Sequence, residues 1–277
     1  MSQMPKKIAL ATKHGKVAQI APAFASLGDW QIELVEIDTD IYGTFSGEVP
    51  RLLTPRDAAI EKARAGALHA GFDFGLASEG TIGPHPQIPF INSDLEVMAF
   101  VDLKTNFAVV ETLMSIEIQA YSSTVNSDTD IEDLIAKLDL PAHAANVTIN
   151  IDGERQFIKG IHRPEELRRV VAKALGQSAT VEVENDFRAM SSPSRQANIV
   201  ALAEKLAARI GSHCPACNQI GWGSLGFEYG LPCSDCFEVV VSVAHSEKLG
   251  CATCDHSELR SLGRESVDPA RCERCNP

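Results

Sequence analysis

Residues 6–12 (KKIALAT) form an apolar run without polar alternation, the pattern of a strand buried on both faces, and Val17 to Leu27 then shows helical spacing until Gly28 stops it. Trp30 to Ile37 alternates as a second strand, and Asp38 to Val49 (DTDIYGTFSGEV) is rich in turn formers and acids, which predicts a loop at the sheet edge. Thr54-Pro55-Arg56-Asp57 opens a helix: Thr54 caps, Pro55 suits the first turn, Asp57 answers the cap from three residues on, and Gly71 ends it. Asp73 to Ser78 reads as a short third strand running into the loop EGTIGPHPQIPF, with alternating strands over Leu95–Leu103 and Phe107–Tyr121. The opening third is therefore β-α-β-α-β followed by antiparallel strands.

Ser127 to Leu138 is an acid-capped helix, and strands over Asn146–Ile151 and Arg155–Ile161 are joined by Asp152-Gly153, a strong hairpin signal. A helix over Pro164–Leu175, a strand over Ala179–Glu184 and a long helix over Ser192–Ile210 follow. We divide the chain into an α/β domain (1–125), an α+β segment ending in a long helix (126–211) and a cysteine-rich module (212–277).

All eight cysteines lie in that last module, as four C-x-x-C pairs: Cys214/Cys217, Cys233/Cys236, Cys251/Cys254 and Cys272/Cys275. A two-residue gap lets both thiolates of a pair face one ion from a tight turn, and two pairs complete a tetrahedral shell. The spacing predicts two structural zinc ions in a double zinc ribbon, with all eight cysteines as ligands. The neighbouring His213 and His256 are alternative ligands, but eight thiols already suffice. Short intervening loops favour joining Cys214/Cys217 to Cys233/Cys236 and Cys251/Cys254 to Cys272/Cys275. A closed zinc site explains how the module folds and leaves open a role in holding a protein partner.

Charge narrows the partners. The chain carries a net charge of −12, and neither half has the basic composition of a nucleic-acid binder. The first residues lack the apolar region of a signal peptide, and no apolar stretch approaches the roughly 20 residues that span a bilayer. A cytoplasmic protein is expected, in a compartment where thiols hold metal rather than form disulfides.

Two segments, TKHGKVAQI after the first strand and TPRDAAIEKARAGALHAGFDFGLASEGTIG, resemble the opening half of the inosine triphosphate pyrophosphatase-like superfamily. The resemblance covers roughly residues 6–120 and implies a pyrophosphatase-like mixed sheet with flanking helices. It places Thr12, His14 and Lys16 on the family's first phosphate-binding turn, with one residue deleted. Asp57 falls on its helical metal-binding acid, Lys62 on its lysine, and Glu79-Gly80 on the acid and glycine after the third strand; Ala77-Ser78 stand where the family pairs aspartates. The whole chain, through TKHGK, SEGTIGPHP, NDFRAM and the four C-x-x-C pairs, also resembles an uncharacterised bacterial family whose function is unknown.

The first resemblance implies a magnesium-dependent hydrolase of nucleoside triphosphates or related phosphate compounds. Lys16, Asp57 and Glu79 would be its catalytic groups, and Thr12, His14, Lys62, Gly80 and His85 would contact substrate, with magnesium held by the carboxylates. The capping spacing explains Asp57 equally well without catalysis. A nucleotide-binding sensor without catalysis, and an adaptor that recruits proteins through its zinc module, are the alternatives. Asp186, Arg188 and Arg195 flank the turn before the last helix, where they either grip an anion or form salt bridges.

Overall fold

The structure, a computed structural model, describes residues 5–13, 15–43 and 49–277. It divides into two compact units, residues 1–206 and 207–277.

The first unit opens with β1 (Lys6–Ala11), α1 (Val17–Ala25), β2 (Trp30–Val35), α2 (Pro55–Ala70), β3 (Phe74–Pro84), β4 (Asn92–Asp102) and β5 (Phe107–Ser115). These strands make one mixed sheet in the order β2-β1-β3-β4-β5. β1 runs parallel to both β2 and β3, while β4 and β5 are antiparallel. Chain order places β2 on one side of β1 and β3 on the other, so the sheet reverses direction of winding at β1. The crevice beyond the carboxyl ends of such strands is where open α/β sheets take ligands.

α2 lies close on this sheet because its inward face is small: Ala59, Ala63, Gly66 and Ala67 recur at helical spacing and are buried. Contact is so tight at Gly75 that a Cβ there would stand 2.0 Å from the Ala63 carbonyl oxygen. Thr54 caps α2, accepting from the Asp57 amide at 3.1 Å, and Gly71 closes it in the left-handed region. The close packing carries Lys62 over the sheet.

Two strands differ from the sequence expectation: the one expected over Phe107–Tyr121 ends at Ser115, and the third is longer than expected. β3 does not stop at Ser78 but runs through Pro84, so Glu79 sits inside a strand, opposite Val97 of β4. β4 is long enough to pair residue for residue with this extension, which outweighs the turn tendency of Gly80 and Gly83.

The same unit continues with β6 (Ser122–Val125), α3 (Ile131–Lys137), β7 (Ala145–Ile151), β8 (Glu154–Ile161), α4 (Pro164–Leu175) and β9 (Val181–Asn185), followed by α5 (Pro193–Ile210). The four strands form an antiparallel sheet in the order β6-β9-β7-β8. Asp152 and Gly153 both take positive φ, as the hairpin signal requires. Leu167, Val171 and Ala174 of α4 join Leu134 and Leu138 over Val147, Ile161 and Val183. α5 returns to the first sheet: Arg195 pairs with Glu96, and the Asn198 amide donates to Asp94 Oδ2 at 2.9 Å. These buried polar links tie residues 126–206 to the first sheet, and the two form one compact unit.

The second unit is a sheet of β10 (Gly223–Pro232), β11 (Val239–Gly250) and β12 (Ser257–Ser261), antiparallel throughout. Among the described residues, no helix is long and apolar enough to cross a membrane.

Candidate functional site

A cavity of about 250 Å³ lies at the carboxyl end of β1 and beside the middle of β3. Ala11, Thr12, Lys13 and Lys16 reach it from the end of β1, Thr39 and Asp40 from the segment after β2, and Ser78, Glu79 and Gly80 from β3. Lys62 enters from α2, Asn146 from β7, Lys159 from β8, and Asp186, Arg188 and Arg195 from the turn and helix after β9.

Electrostatics distinguish this cavity from the rest of the molecule. Seven lysine and arginine side chains line it against three carboxylates, in a chain whose net charge is −12. Each of those carboxylates already meets a cation. Asp40 lies 2.5 Å from Lys13 Nζ, Glu79 is ion-paired with Lys62, and Asp186 accepts from Arg188 Nε at 3.0 Å and Nη2 at 2.6 Å. Burial works against the Asp186 charge, but the Arg188 hydrogen bonds hold its carboxyl below the ordinary range.

Behind the cavity lies a buried polar layer. Arg195 is 2 % exposed; its Nη1 donates to the Phe187 carbonyl at 2.7 Å and its Nε to Glu96. Gly80 makes room for this pair, since a Cβ there would stand 2.3 Å from Arg195 Nη2 and 2.7 Å from Glu96 Oε1. Arg51 Nη1 donates to the Gly80 carbonyl at 2.8 Å and to Thr81 Oγ1 at 3.0 Å. Lys16 Nζ lies 2.9 Å from Ser78 Oγ and 3.3 Å from the Ser78 carbonyl oxygen. Burial, and after it the Arg195 charge, lowers the Lys16 pKa to about 8.

Of the residues singled out from sequence, the cavity gathers Thr12, Lys16, Lys62, Glu79 and Gly80. Asp57 is not among its lining. This side chain is exposed at the start of α2 and accepts from Thr54 Oγ1 at 2.6 Å, the capping role that its spacing also allowed. His85 is likewise outside, its Nδ1 accepting from the Gln87 and Ile88 amides within a turn. His14 falls outside the described residues. Arg188 and Arg195 form the salt bridges considered for them, and both also line the cavity. Arg51, Ser78, Asn146 and Lys159 were not anticipated, and nothing in their local sequence marks them.

The magnesium expected from the resemblance finds a poor fit. It was to rest on Asp57 and Glu79, but Asp57 does not line the cavity and Glu79 is engaged by Lys62. Hard-cation sites are built from carboxylate and carbonyl oxygens free to point at the ion.

In the second unit the eight cysteines form two clusters, Cys214/Cys217/Cys251/Cys254 and Cys233/Cys236/Cys272/Cys275, with the sulfurs of each within 4.8 Å of one another. A thiolate tetrahedron around an ion at about 2.3 Å places neighbouring sulfurs about 3.8 Å apart. Cys214 and Cys254 are 3.9 Å apart, Cys217 and Cys251 3.6 Å, Cys233 and Cys275 3.8 Å, and Cys236 and Cys272 3.6 Å. Both clusters are therefore compatible with a structural zinc ion. Asn218 and Phe237, each following the second cysteine of a pair, take φ near +58° and +59°, and their amides turn back to the carbonyls of Cys214 and Cys233. His256 is not needed as a ligand; it stacks on Trp222 and contacts Glu258.

This pairing corrects the expected one. The first C-x-x-C joins the third and the second joins the fourth, because Cys217 and Cys233 are separated by β10, not by a slack loop. Ten residues of strand span about 30 Å. Register brings Gly223 opposite Gly250 at one end of the hairpin, where the first and third pairs meet. β12 returns along β11, and Val267 bridges Cys233, delivering the fourth pair to the other end.

A comparison with curated proteins gave no match. A family model described as Domain of unknown function (DUF6671) matches residues 62–277, a span that holds both cysteine clusters and the cavity residues from Lys62 to Arg195, and the chain belongs to that family.

Proposed function

We propose that the protein binds a nucleotide or another phosphorylated small molecule in the cavity at the carboxyl end of β1, beside the middle of β3, through lysine and arginine side chains rather than through magnesium. The observation that carries this reading is the excess of seven cations over three carboxylates in one cavity of an acidic protein. Such a site concentrates anions. Lys16 is the N-cap residue of α1, and a helix N-terminus adds backbone N–H groups favourable to phosphate. At about 250 Å³ the cavity falls below the roughly 300–1,000 Å³ of pockets that enclose a drug-sized ligand, so it suits the phosphate-bearing end of the molecule.

This favours the sensor alternative over the hydrolase. Phosphoanhydride cleavage calls for a group to position water and a metal to neutralise charge, and the lining acids are all engaged by cations. The pyrophosphatase-like sheet remains our reading of the scaffold, on the strength of the β1 turn and the Glu79-Gly80 step. Two zinc–thiolate clusters suit a reducing compartment, and we place the protein in the cytoplasm.

The test is a thermal-shift series in magnesium-free buffer with pyrophosphate, nucleoside mono- and triphosphates and sugar phosphates. A ligand at 100 times its Kd should stabilise the fold by about 2.7 kcal/mol. If no phosphate compound raises Tm, the reading fails. Pyrophosphate release on adding magnesium would restore the hydrolase.

A further inference from the structure

We propose that Lys16 forms an imine with its ligand, so that the phosphorylated small molecule taken by this cavity carries an aldehyde or ketone. The inference rests on the phosphate-binding reading above and narrows the ligand class.

Two neighbouring lysines show what Lys16 lacks. Lys13 pairs with Asp38 and Asp40, and Lys62 pairs with Glu79. Lys16 is only 7 % exposed, yet it makes no ion pair among the described residues. Its Nζ contacts are a hydroxyl at 2.9 Å and a carbonyl oxygen at 3.3 Å, both from Ser78. A neutral amine satisfies this pair well, accepting from Ser78 Oγ–H and donating to the carbonyl. An ammonium would be a buried charge without a counter-ion in contact, which is costly.

Charges on four elements bear on it: Arg195 on α5 and, least of the four, Lys62 on α2 disfavour the ammonium, while Glu96 on β4 and Glu79 on β3 favour it. Burial is the largest influence and the net outcome is a pKa of about 8, so about a tenth of the amine is unprotonated at pH 7. Lysines become carbonyl nucleophiles under this combination of desolvation and a cationic neighbour. Arg188 and Lys159 line the same cavity and supply charge for the phosphate.

The chemistry balances without a further reagent. The Nζ lone pair attacks the carbonyl carbon, a C–N bond forms, and the C=O π pair moves to oxygen. That oxygen takes a proton from the nitrogen, with Ser78 Oγ placed to relay it. A proton from solvent lets the resulting hydroxyl leave as water, and the nitrogen lone pair closes the C=N bond of a protonated imine. One water is released, and hydrolysis reverses the step.

Pyridoxal 5′-phosphate, which joins an aldehyde to a phosphate, is the probe for the zinc-loaded wild-type chain. After borohydride reduction and peptide mass spectrometry, the label should fall on Lys16 at close to one per chain, with a rate that rises through about pH 8. Unphosphorylated pyridoxal should react at least about tenfold more slowly, the value of one charge-assisted phosphate contact. Pyrophosphate should protect. Label on Lys62, Lys159 or exposed lysines with Lys16 unmodified overturns the imine; if pyrophosphate still raises Tm in that case, the phosphate-binding reading stands. If Lys16 stays unmodified and no phosphate compound raises Tm, both fail.

Discussion

Replacing Asp94 by asparagine should stabilise this protein at neutral pH and leave it unchanged in acid. Asp94 is fully buried on β4; Oδ2 accepts from Asn198, and Oδ1 has no hydrogen-bond partner. Burial, and next the nearby Glu96 charge, raises its pKa from 3.8 to about 6. A carboxyl raised in the folded state contributes stability when protonated, below about pH 4, and that contribution is lost as pH rises through about 6. At pH 7 the ionised group therefore costs the fold up to about 3 kcal/mol, from a shift of about two units at 1.36 kcal/mol each. Asparagine removes the charge and keeps an oxygen for the Asn198 amide.

Allowing for relaxation around a buried charge, a gain of about 1–3 kcal/mol is expected, or about 2–10 °C in Tm for a unit of this size. Thermal unfolding of wild-type and Asp94→Asn protein, both zinc-loaded, between pH 4.5 and 8 measures the gap. It should be widest near pH 7 to 8 and shrink steadily toward pH 4.5. A variant that is less stable at pH 7, or a gap that does not change with pH, would refute the reasoning.

Glu96→Gln should have the opposite sign, because it strands the buried Arg195 guanidinium; a loss of about 3–5 kcal/mol in chemical denaturation is expected. Gly80→Ala should cost about 1–3 kcal/mol and weaken phosphate binding, since the new methyl would collide with Arg195 and Glu96, and a variant with unchanged Tm and affinity would show that the close approach is unimportant. Purified protein should hold two zinc ions, one per cluster; Cys214→Ser with Cys254→Ser should leave one, whereas Cys214→Ser with Cys233→Ser should disable both sites. Metal analysis with the reverse outcome would reinstate pairing between sequence neighbours.

The elements of the first unit were legible because their signals are local. Thr54-Pro55 and Gly71 bracket α2, Asp152-Gly153 turns the hairpin, and the Pro164–Leu175 helix keeps the bounds that its pattern gives. β3 was cut short because Gly80 and Gly83 weigh as turn formers in isolation. Only β4, some fifteen residues on, supplies the pairing that holds them in a strand. The cavity was half legible for the same reason. Lys16 and Glu79 follow or lie within strands that any α/β reading brings together, but Arg51 reaches it from the segment before α2, Asn146 from β7 and Lys159 from β8. Asp57 illustrates the converse: a capping acid and a metal ligand share one sequence signature, and only in the folded chain is the side chain seen to turn to Thr54.

The cysteine ligands were legible individually and their partnership was not, and the reason lies in what connects them. Loop-closure entropy rewards short connections only when the chain between is flexible. Here β10 stiffens the first connection, so the nearest pair in sequence is held about a strand length away. β11 then returns the chain to its starting end, and the longer connection becomes the close one. Each cluster thereby clamps one end of the same hairpin, with few large side chains buried between them: Leu231, Val240, Val243 and Val267 form the apolar cluster beside one site. A unit so thinly cored is one that bound metal would stabilise, and because each cluster ties one end of the same hairpin, two ions would fasten a single β-sheet from both ends.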